Sequence, residues 1–248
     1  MQNELARAAC WIGEARSIAV LTGAGVSAES GVPTFRGEDG LWRKYRAEDL
    51  ATPDAYARDP ELVWEWYRYR QKIIARAEPN GAHLALASLE TLVPSFTLIT
   101  QNVDGLHRRA GSRNVVEVHG NIFRARSPRD GEVRWLTGEE EENPLSLAGD
   151  PMRPDVVWFG EMLPAGAIRE AEEASRAADL FLVVGTSALV YPAASFPILA
   201  KESGAKLIEV NLERTPLSSV ADLSLLGKAA EIVPMLVDHA FPSEREGA

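Results

Sequence analysis

Short, β-branched apolar runs punctuate the sequence at residues 17–22, 96–100, 115–118, 155–159, 180–184 and 206–210. Most are near-continuously hydrophobic rather than alternating, the pattern of parallel strands covered on both faces. Helix-like segments stand between several of them, at 82–92, 165–178 and 191–201, with another at 229–239. Strands alternating with helices predict an open α/β fold, a Rossmann-like doubly wound parallel sheet. Two stretches break the alternation. Residues 37–78 are helix-rich, and 124–153 are polar, with "PRDG" turn chemistry, a "GEEEEN" run and no strong period. They predict a smaller helical or irregular lobe over the carboxyl edge of the sheet, where ligands of such sheets bind. The expected division of the single unit 1–248 is a large lobe (about 1–36, 79–120 and 154–248) and a small one (about 37–78 and 121–153). The terminal "PSEREGA" reads as a frayed tail.

Composition narrows the partners. A formal charge of −10 disfavours broad binding to nucleic acid or anionic membrane, so an anionic ligand would need a local Arg or Lys site. The single cysteine, Cys10, excludes an intrachain disulfide and any cysteine-rich zinc site. The N-terminal stretch lacks the pattern of a signal peptide, and no apolar run reaches membrane-spanning length; a cytoplasmic location and a monomer are expected.

After the first run, "SIAVLTGAGVSA" sets Gly23, Gly25 and Ala28 in a G-x-G-x-x-A pattern. Small residues let a backbone approach a pyrophosphate, whose charge a following helix N-terminus favours. Alone the pattern fits a tight strand-to-helix turn as well. The continuation, "SGVPTFR", carries Pro33, Phe35 and Arg36 instead of running cleanly into a helix. Arg36 is a fixed cation near the loop, and a ring beside it suits a cofactor that is cleaved rather than one held for hydride transfer. Further on, "ITQNVDGLHRRAG" clusters Gln101, Asn102 and Asp104 at a strand end, which an Asx-rich turn would also explain. His119, in "VVEVHGN", ends another apolar strand and is a candidate general base.

These blocks, with "RPDVVWFGEMLP", "GTSALVYPAA" and "VNLE", run in order across nearly the whole chain. Together they resemble the sirtuins, NAD-dependent protein lysine deacylases. The resemblance implies NAD as co-substrate, with the pyrophosphate held at Gly23, Ala24 and Gly25 and helped by Arg36. Phe35 would shield the reaction centre after nicotinamide leaves. Asn102 and Asp104 would define the nicotinamide pocket, with Asn102 also catalytic, and Gln101 would touch the nicotinamide ribose. Gly185, Thr186, Ser187 and Asn211 would line the adenosine side, and His119 would be the base. The implied reaction has the acyl oxygen of a modified lysine attack C1′ of the ribose, expelling nicotinamide. His119 then deprotonates a ribose hydroxyl, and the products are free lysine, nicotinamide and 2′-O-acyl-ADP-ribose. Acyl-lysine proteins would be the partners. The resemblance also implies that a strand formed by Val157, Trp158, Phe159, Gly160 and Glu161 pairs with the substrate backbone.

The stretch "DPELVWEWYRYRQKII" reads as a helix with Asp59 as N-cap and Pro60 as its first residue. Val63, Tyr67, Arg70 and Ile74 then share a face. An Arg inside that stripe is either paired with a core carboxylate, snorkelling to solvent, or a carboxylate receptor with the Tyr67 hydroxyl one turn away. The Tyr-x-x-Arg pair resembles the sirtuins that prefer succinyl-, malonyl- and glutaryl-lysine, as do Thr34 and the "VVWFGE" block.

Most sirtuins carry four cysteines between the catalytic histidine and the "RPxVVWFGE" block. Residues 124–153 contain neither Cys nor His, so no structural zinc is expected. Packing must then hold the lobe, with Trp135, Leu136, Leu145 and Leu147 as candidate anchors. Two other readings stay open: a mono-ADP-ribosyltransferase, for which an acyl pocket is unnecessary, and a non-catalytic NAD- or ADP-ribose-binding module, for which a retained base is unnecessary. A nicotinamide oxidoreductase fits least, because of the loop after Gly25.

Overall fold

The computed structural model describes residues 2–33 and 47–242; Thr34, Phe35 and Arg36 therefore lie outside the described residues. The chain begins with α1 (Gln2–Glu14), β1 (Ser17–Thr22) and a 3-10 helix (Ala24–Ser30). Four helices follow: α2 (Ala47–Leu50), α3 (Pro53–Arg58), α4 (Pro60–Arg76) and α5 (Gly81–Leu92). Next come β2 (Ser95–Thr100), α6 (Leu106–Arg109), β3 (Val115–Glu117), β4 (Gly120–Arg126), β5 (Val133–Trp135) and β6 (Arg153–Val156). The chain continues through α7 (Ala165–Ala177), β7 (Leu180–Val184), α8 (Phe196–Glu202), β8 (Lys206–Asn211), β9 (Leu223–Leu226) and α9 (Ala229–Ala240).

Six strands form one parallel sheet in the order β3-β2-β1-β7-β8-β9. The expected doubly wound α/β fold is thus present, with a small antiparallel sheet beside it. The near-continuous hydrophobic runs have a direct cause. Successive side chains of a strand point to opposite faces. In β1, Ile18 and Val20 enter the core beneath α1, α5 and α9, while Ala19 and Leu21 enter the core beneath α7 and α8. In β7, Leu180, Leu182 and Val184 go to the first core and Phe181 and Val183 to the second. Both faces being covered, residues 18–21 and 180–184 are all apolar.

The 155–159 run does not join this sheet. Its strand is β6, Arg153–Val156, which lies in a three-stranded antiparallel sheet ordered β5-β4-β6. In place of the strand expected over residues 157–161, the structure has irregular backbone with a turn at Phe159–Gly160, and its amides bond within the protein. Val157 N donates to His119 O (2.9 Å) and Phe159 N to Ala51 O (2.9 Å). Trp158 N donates to Glu161 Oε2 (2.9 Å).

α4 begins as the sequence dictates: Asp59 accepts from Leu62 N at 3.0 Å, and Pro60 takes the first helical position. Its inward face, Val63, Trp64, Tyr67 and Ile74, forms a third core with Ile122, Ala125, Leu136, Met152, Val156 and Trp158. Trp64 Nε1 (3.0 Å) and Tyr56 Oη (2.9 Å) both donate to the Met152 carbonyl, and Gln71 Nε2 donates to Ile122 O (2.6 Å). Of the four expected anchors only Leu136 is buried. Trp135 is 62% exposed, Leu145 50% and Leu147 97%. Trp135 instead lies under the Arg124 guanidinium, 5.3 Å from ring to carbon. The lobe is packed by the aromatic face of α4, not by its own loop.

Candidate functional site

The order of the large sheet reverses at β1: β2 lies on one side of it and β7 on the other. In such sheets this switch point opens the crevice that takes a ligand. Gly23 and Gly25 leave β1 there and meet Gly185, which leaves β7. Gly25 N donates to Gly185 O (2.8 Å), and Gly23 N to Val184 O (3.1 Å). A Cβ on Gly25 would stand 2.8 Å from Gly185 backbone, and one on Gly23 2.7 Å from the Thr186 side chain. Gly185 has φ +62°, and a Cβ there would reach 2.4 Å from Val26 N. The glycines are needed first for this contact of backbone on backbone. The segment after Gly23 is a seven-residue 3-10 helix rather than a full α-helix. Ala24 and Gly25 remain partly exposed at its start.

Polar side chains from four strand ends meet beside this cradle. Gln101 Nε2 donates to Thr186 Oγ1 (2.9 Å), and Asn211 Nδ2 to Thr186 O (3.0 Å). Ser187 follows, half-buried. Asn102 and Asp104 are buried behind them, both joined to Ser27: Asn102 Nδ2 donates to its Oγ (3.1 Å), which donates to Asp104 Oδ2 (2.8 Å). Burial pushes the Asp104 carboxyl up, against the opposing bonds from Leu106 N and Ser27 and the positive charge of Arg70. His83 completes the group. Its Nδ1 accepts from Asn80 N (3.2 Å), so Nε2 carries the proton and faces Ser27 Oγ at 3.3 Å. Burial pulls the His83 pKa down to about 4, so the ring is neutral at pH 7.

His119 stands at the junction of β3 and β4. Its Nδ1 lies 2.8 Å from Gln101 O. A carbonyl only accepts, so Nδ1 carries the proton and Nε2 keeps its lone pair, the arrangement of a general base. Burial lowers its pKa, and the contact with Gln101 opposes this without cancelling it.

Tyr67 and Arg70 face this edge from α4. Tyr67 is fully buried and its hydroxyl accepts from Trp158 Nε1 (2.9 Å), leaving its own proton to donate. The half-buried Arg70 guanidinium lies over Trp66 at 4.7 Å and beside Tyr67 at 5.7 Å. Burial works against its charge, while Tyr67 and Asp104 favour it. Phe159 and Gly160 are exposed on the turn, and Val157 is half-buried. The Glu161 carboxylate points back into the protein, clasping Arg153, which lies 3.4 Å over the Trp158 ring. Burial opposes the Glu161 charge, but Arg153 and Trp158 N outweigh it and hold the carboxyl below its usual range. Glu161 thus fixes the turn and is not directed outward.

The structure therefore gathers Gly23, Ala24, Gly25, Gln101, Asn102, Asp104, His119, Gly185, Thr186, Ser187 and Asn211 along one sheet edge. Tyr67, Arg70 and Trp158 are linked at its lobe side, and Phe35 and Arg36 lie outside the described residues. Sequence reasoning missed Ser27, His83, Thr22, Thr100 and His107 beneath the edge, and Trp66 and Arg153 in the lobe. The one available signal was a histidine, His83, on the apolar face of α5.

The interlocked glycines and the polar strand ends fit a dinucleotide. Among the described residues no group of three or more His, Cys, Asp or Glu is placed to hold a metal ion. No described helix is long and apolar enough to cross a membrane.

Known proteins share this arrangement. Residues 23–192 match the model of the Sir2 family. NAD-dependent protein deacylase 2 of Pyrobaculum aerophilum is 52% identical over 230 residues, covering 92% of each chain. The NAD-dependent protein deacylase of Thermococcus kodakarensis is 52% identical over 242 residues, covering 94% of each. A solved Sir2 homologue in complex with NAD superposes with a TM-score of 0.90 at 48% identity, over 96% of this chain and 94% of that one. A Sir2 structure holding a p53 peptide and NAD+ gives 0.83 at 35% identity, over 94% and 97%. With this glycine cradle, this histidine and these matches along most of its length, the chain belongs to the Sir2 family.

Proposed function

We propose that this Sir2-family enzyme is an NAD-dependent protein-lysine deacylase with a preference for acyl groups that end in a carboxylate. The observation that carries the chemistry is His119, anchored through Nδ1 on Gln101 O with Nε2 unprotonated. With NAD and an acyl-lysine bound, the overall reaction moves the acyl group to ADP-ribose and releases nicotinamide and free lysine. Nε2 of His119 takes the proton of the ribose hydroxyl that attacks the acyl carbon. The cradle at Gly23, Ala24 and Gly25 receives the pyrophosphate; by the family resemblance Arg36 helps to hold it and Phe35 shields the reaction centre. Asn102 and Asp104 orient the nicotinamide, Gln101 its ribose, and Gly185, Thr186, Ser187 and Asn211 the adenosine side. The 157–161 turn offers the substrate backbone its exposed Phe159–Gly160 edge.

The acyl preference rests on Tyr67 and Arg70. A guanidinium fork and a phenol proton one turn apart on α4 suit a carboxylate at the end of an acyl chain. A charge-assisted contact of this kind in a partly desolvated pocket favours succinyl over acetyl by roughly 2–4 kcal/mol. Neutral acetyl-lysine remains a weaker substrate. With one cysteine, Cys10, and neither Cys nor His in residues 124–153, the small lobe works without a structural zinc.

The test is to incubate the protein with NAD and matched succinyl- and acetyl-lysine peptides and to follow products by mass spectrometry. O-succinyl-ADP-ribose forming faster than the acetyl product is the expected result. Equal or faster acetyl turnover removes the carboxylate preference and leaves the deacylase. Bound NAD with no turnover of either peptide refutes the catalytic reading.

A further inference from the structure

Beneath the sheet edge lies a histidine that the proposed chemistry does not use. His107, on α6, is 2% exposed, and its Nε2 lies 2.9 Å from Thr22 Oγ1. Thr22 Oγ1 donates to Thr100 Oγ1 at 2.8 Å, and Thr100 Oγ1 accepts the Asn102 backbone N–H at 3.1 Å. Thr22 and Thr100 are register partners at the last rung of the β1–β2 ladder. With the Thr22 proton directed to Thr100, Thr22 Oγ1 keeps its lone pairs to accept, and the Nε2–H tautomer of His107 is the one that matches it.

The other ring nitrogen, Nδ1, is buried with no hydrogen-bond partner. An unpaired buried polar atom is costly, and an apolar side chain of similar size would avoid that cost. The useful end of the ring is therefore Nε2. Burial, and the neighbouring His83 ring 4.7 Å away, hold His107 neutral and suited to a fixed tautomer. A second relay runs in parallel: His83 to Ser27, with Ser27 bonded to the Asn102 side-chain amide and to Asp104. The two relays grip Asn102 at different atoms, one at the backbone N–H and one at the amide group.

We infer that His107 is a positioning residue for the nicotinamide pocket, acting through Thr22 and Thr100 to fix the backbone of Asn102. The inference rests on the proposed role of Asn102. It separates from a merely structural role because glutamine and asparagine mimic different ring nitrogens. His107→Gln keeps a donor where Nε2 stood, and His107→Asn moves it to where Nδ1 stood.

The experiment measures kcat, the KM for NAD, nicotinamide release and the melting temperature of both variants with an acyl-lysine peptide. The expected result is His107→Gln within about threefold of the parent kcat. His107→Asn should lose on the order of tenfold in kcat, the worth of one well-aligned bond, with KM for NAD within about twofold. Equal kcat values for the two variants, or a loss that tracks melting temperature alone, overturn the inference. Thr100→Val, nearly isosteric, breaks the same relay if His107→Asn does not fold. An unchanged kcat in Thr100→Val also overturns it. In the double variant the two losses should not add. Asn102→Ala distinguishes the two failures: parental nicotinamide release in that variant sinks the role of Asn102 itself. Its inactivity alongside equal Gln and Asn variants sinks only the role of His107.

Discussion

The large sheet and the small lobe solve the same problem, a buried core, by different means. In the sheet every strand but the edge strand β9 feeds two cores by simple alternation, and the buried residues it contributes are mostly aliphatic. In the lobe, three short strands are too few to bury themselves, and the core comes from one face of α4. Its large aromatics bring polar atoms, and those atoms find specific carbonyls: Met152 O for Trp64 and Tyr56, Ile122 O for Gln71. The sheet core is built on apolar contact, whereas the lobe core adds single side chains that reach single acceptors.

The sharpest way to separate the two regions is to remove chemistry from the sheet edge without touching the lobe. His119→Ala should lower kcat on the order of a thousandfold while the melting temperature stays near the parent value. Product analysis and a thermal melt on the same sample check both halves. The converse is Trp64→Ala, which opens a cavity and leaves Met152 O with Tyr56 Oη as its one side-chain donor. It should destabilise the protein by about 4 kcal/mol, read by denaturant unfolding, with early loss of the lobe.

A pH titration probes the buried polar layer under the sheet. His83 has its pKa lowered from 6.5 to about 4 in the folded protein, so the unfolded chain binds more protons between those values. Stability should therefore rise with pH through the window from 4 to 6.5, be fully present above it, and lose on the order of 3 kcal/mol below it. His83→Leu should flatten that slope in chemical denaturation at several pH values. A slope unchanged by the substitution would assign it elsewhere.

Within the lobe, Arg70→Leu should cut the succinyl-to-acetyl ratio about thirtyfold, close to 2 kcal/mol, mainly through succinyl turnover. Competition between the two peptides in one tube measures this ratio directly. The smallest expected effect is Glu161→Gln. It frees Arg153 from its partner and should raise the peptide KM several-fold, with roughly 1 kcal/mol of lost stability. A KM change without a stability change would mean that Glu161 meets the peptide itself.

The same contrast explains what could be read in advance. The strands of the large sheet were legible because double burial leaves a continuous apolar run. β9 was not, because Ser224 interrupts its short run, and that serine donates to the buried Glu209 carboxylate (2.8 Å). Asp59 and Pro60 announced α4 because capping is local. Gln101, Asn102, Asp104 and His119 were legible as strand-end polar residues. Their supports were not, since Ser27–His83 and Thr22–His107 join residues 56 and 85 positions apart. Trp135, Leu145 and Leu147 misled because an apolar residue in an aperiodic stretch carries no signal of which way it faces. Arg124 turned out to cover one of them.

The contact of Gly23 and Gly25 with Gly185 has a consequence for the order of assembly. The cradle proposed for the nucleotide is divided between the first strand and a strand that arrives some 160 residues later. A chain still emerging from the ribosome, or cut before β7, has half a cradle and no means of completing it. Nucleotide added early gives such a chain no advantage; once the halves have met, it shifts the balance toward the closed form by mass action. Retention on an immobilised nucleotide would thus act as a proofreading step, selecting molecules in which the whole sheet has closed.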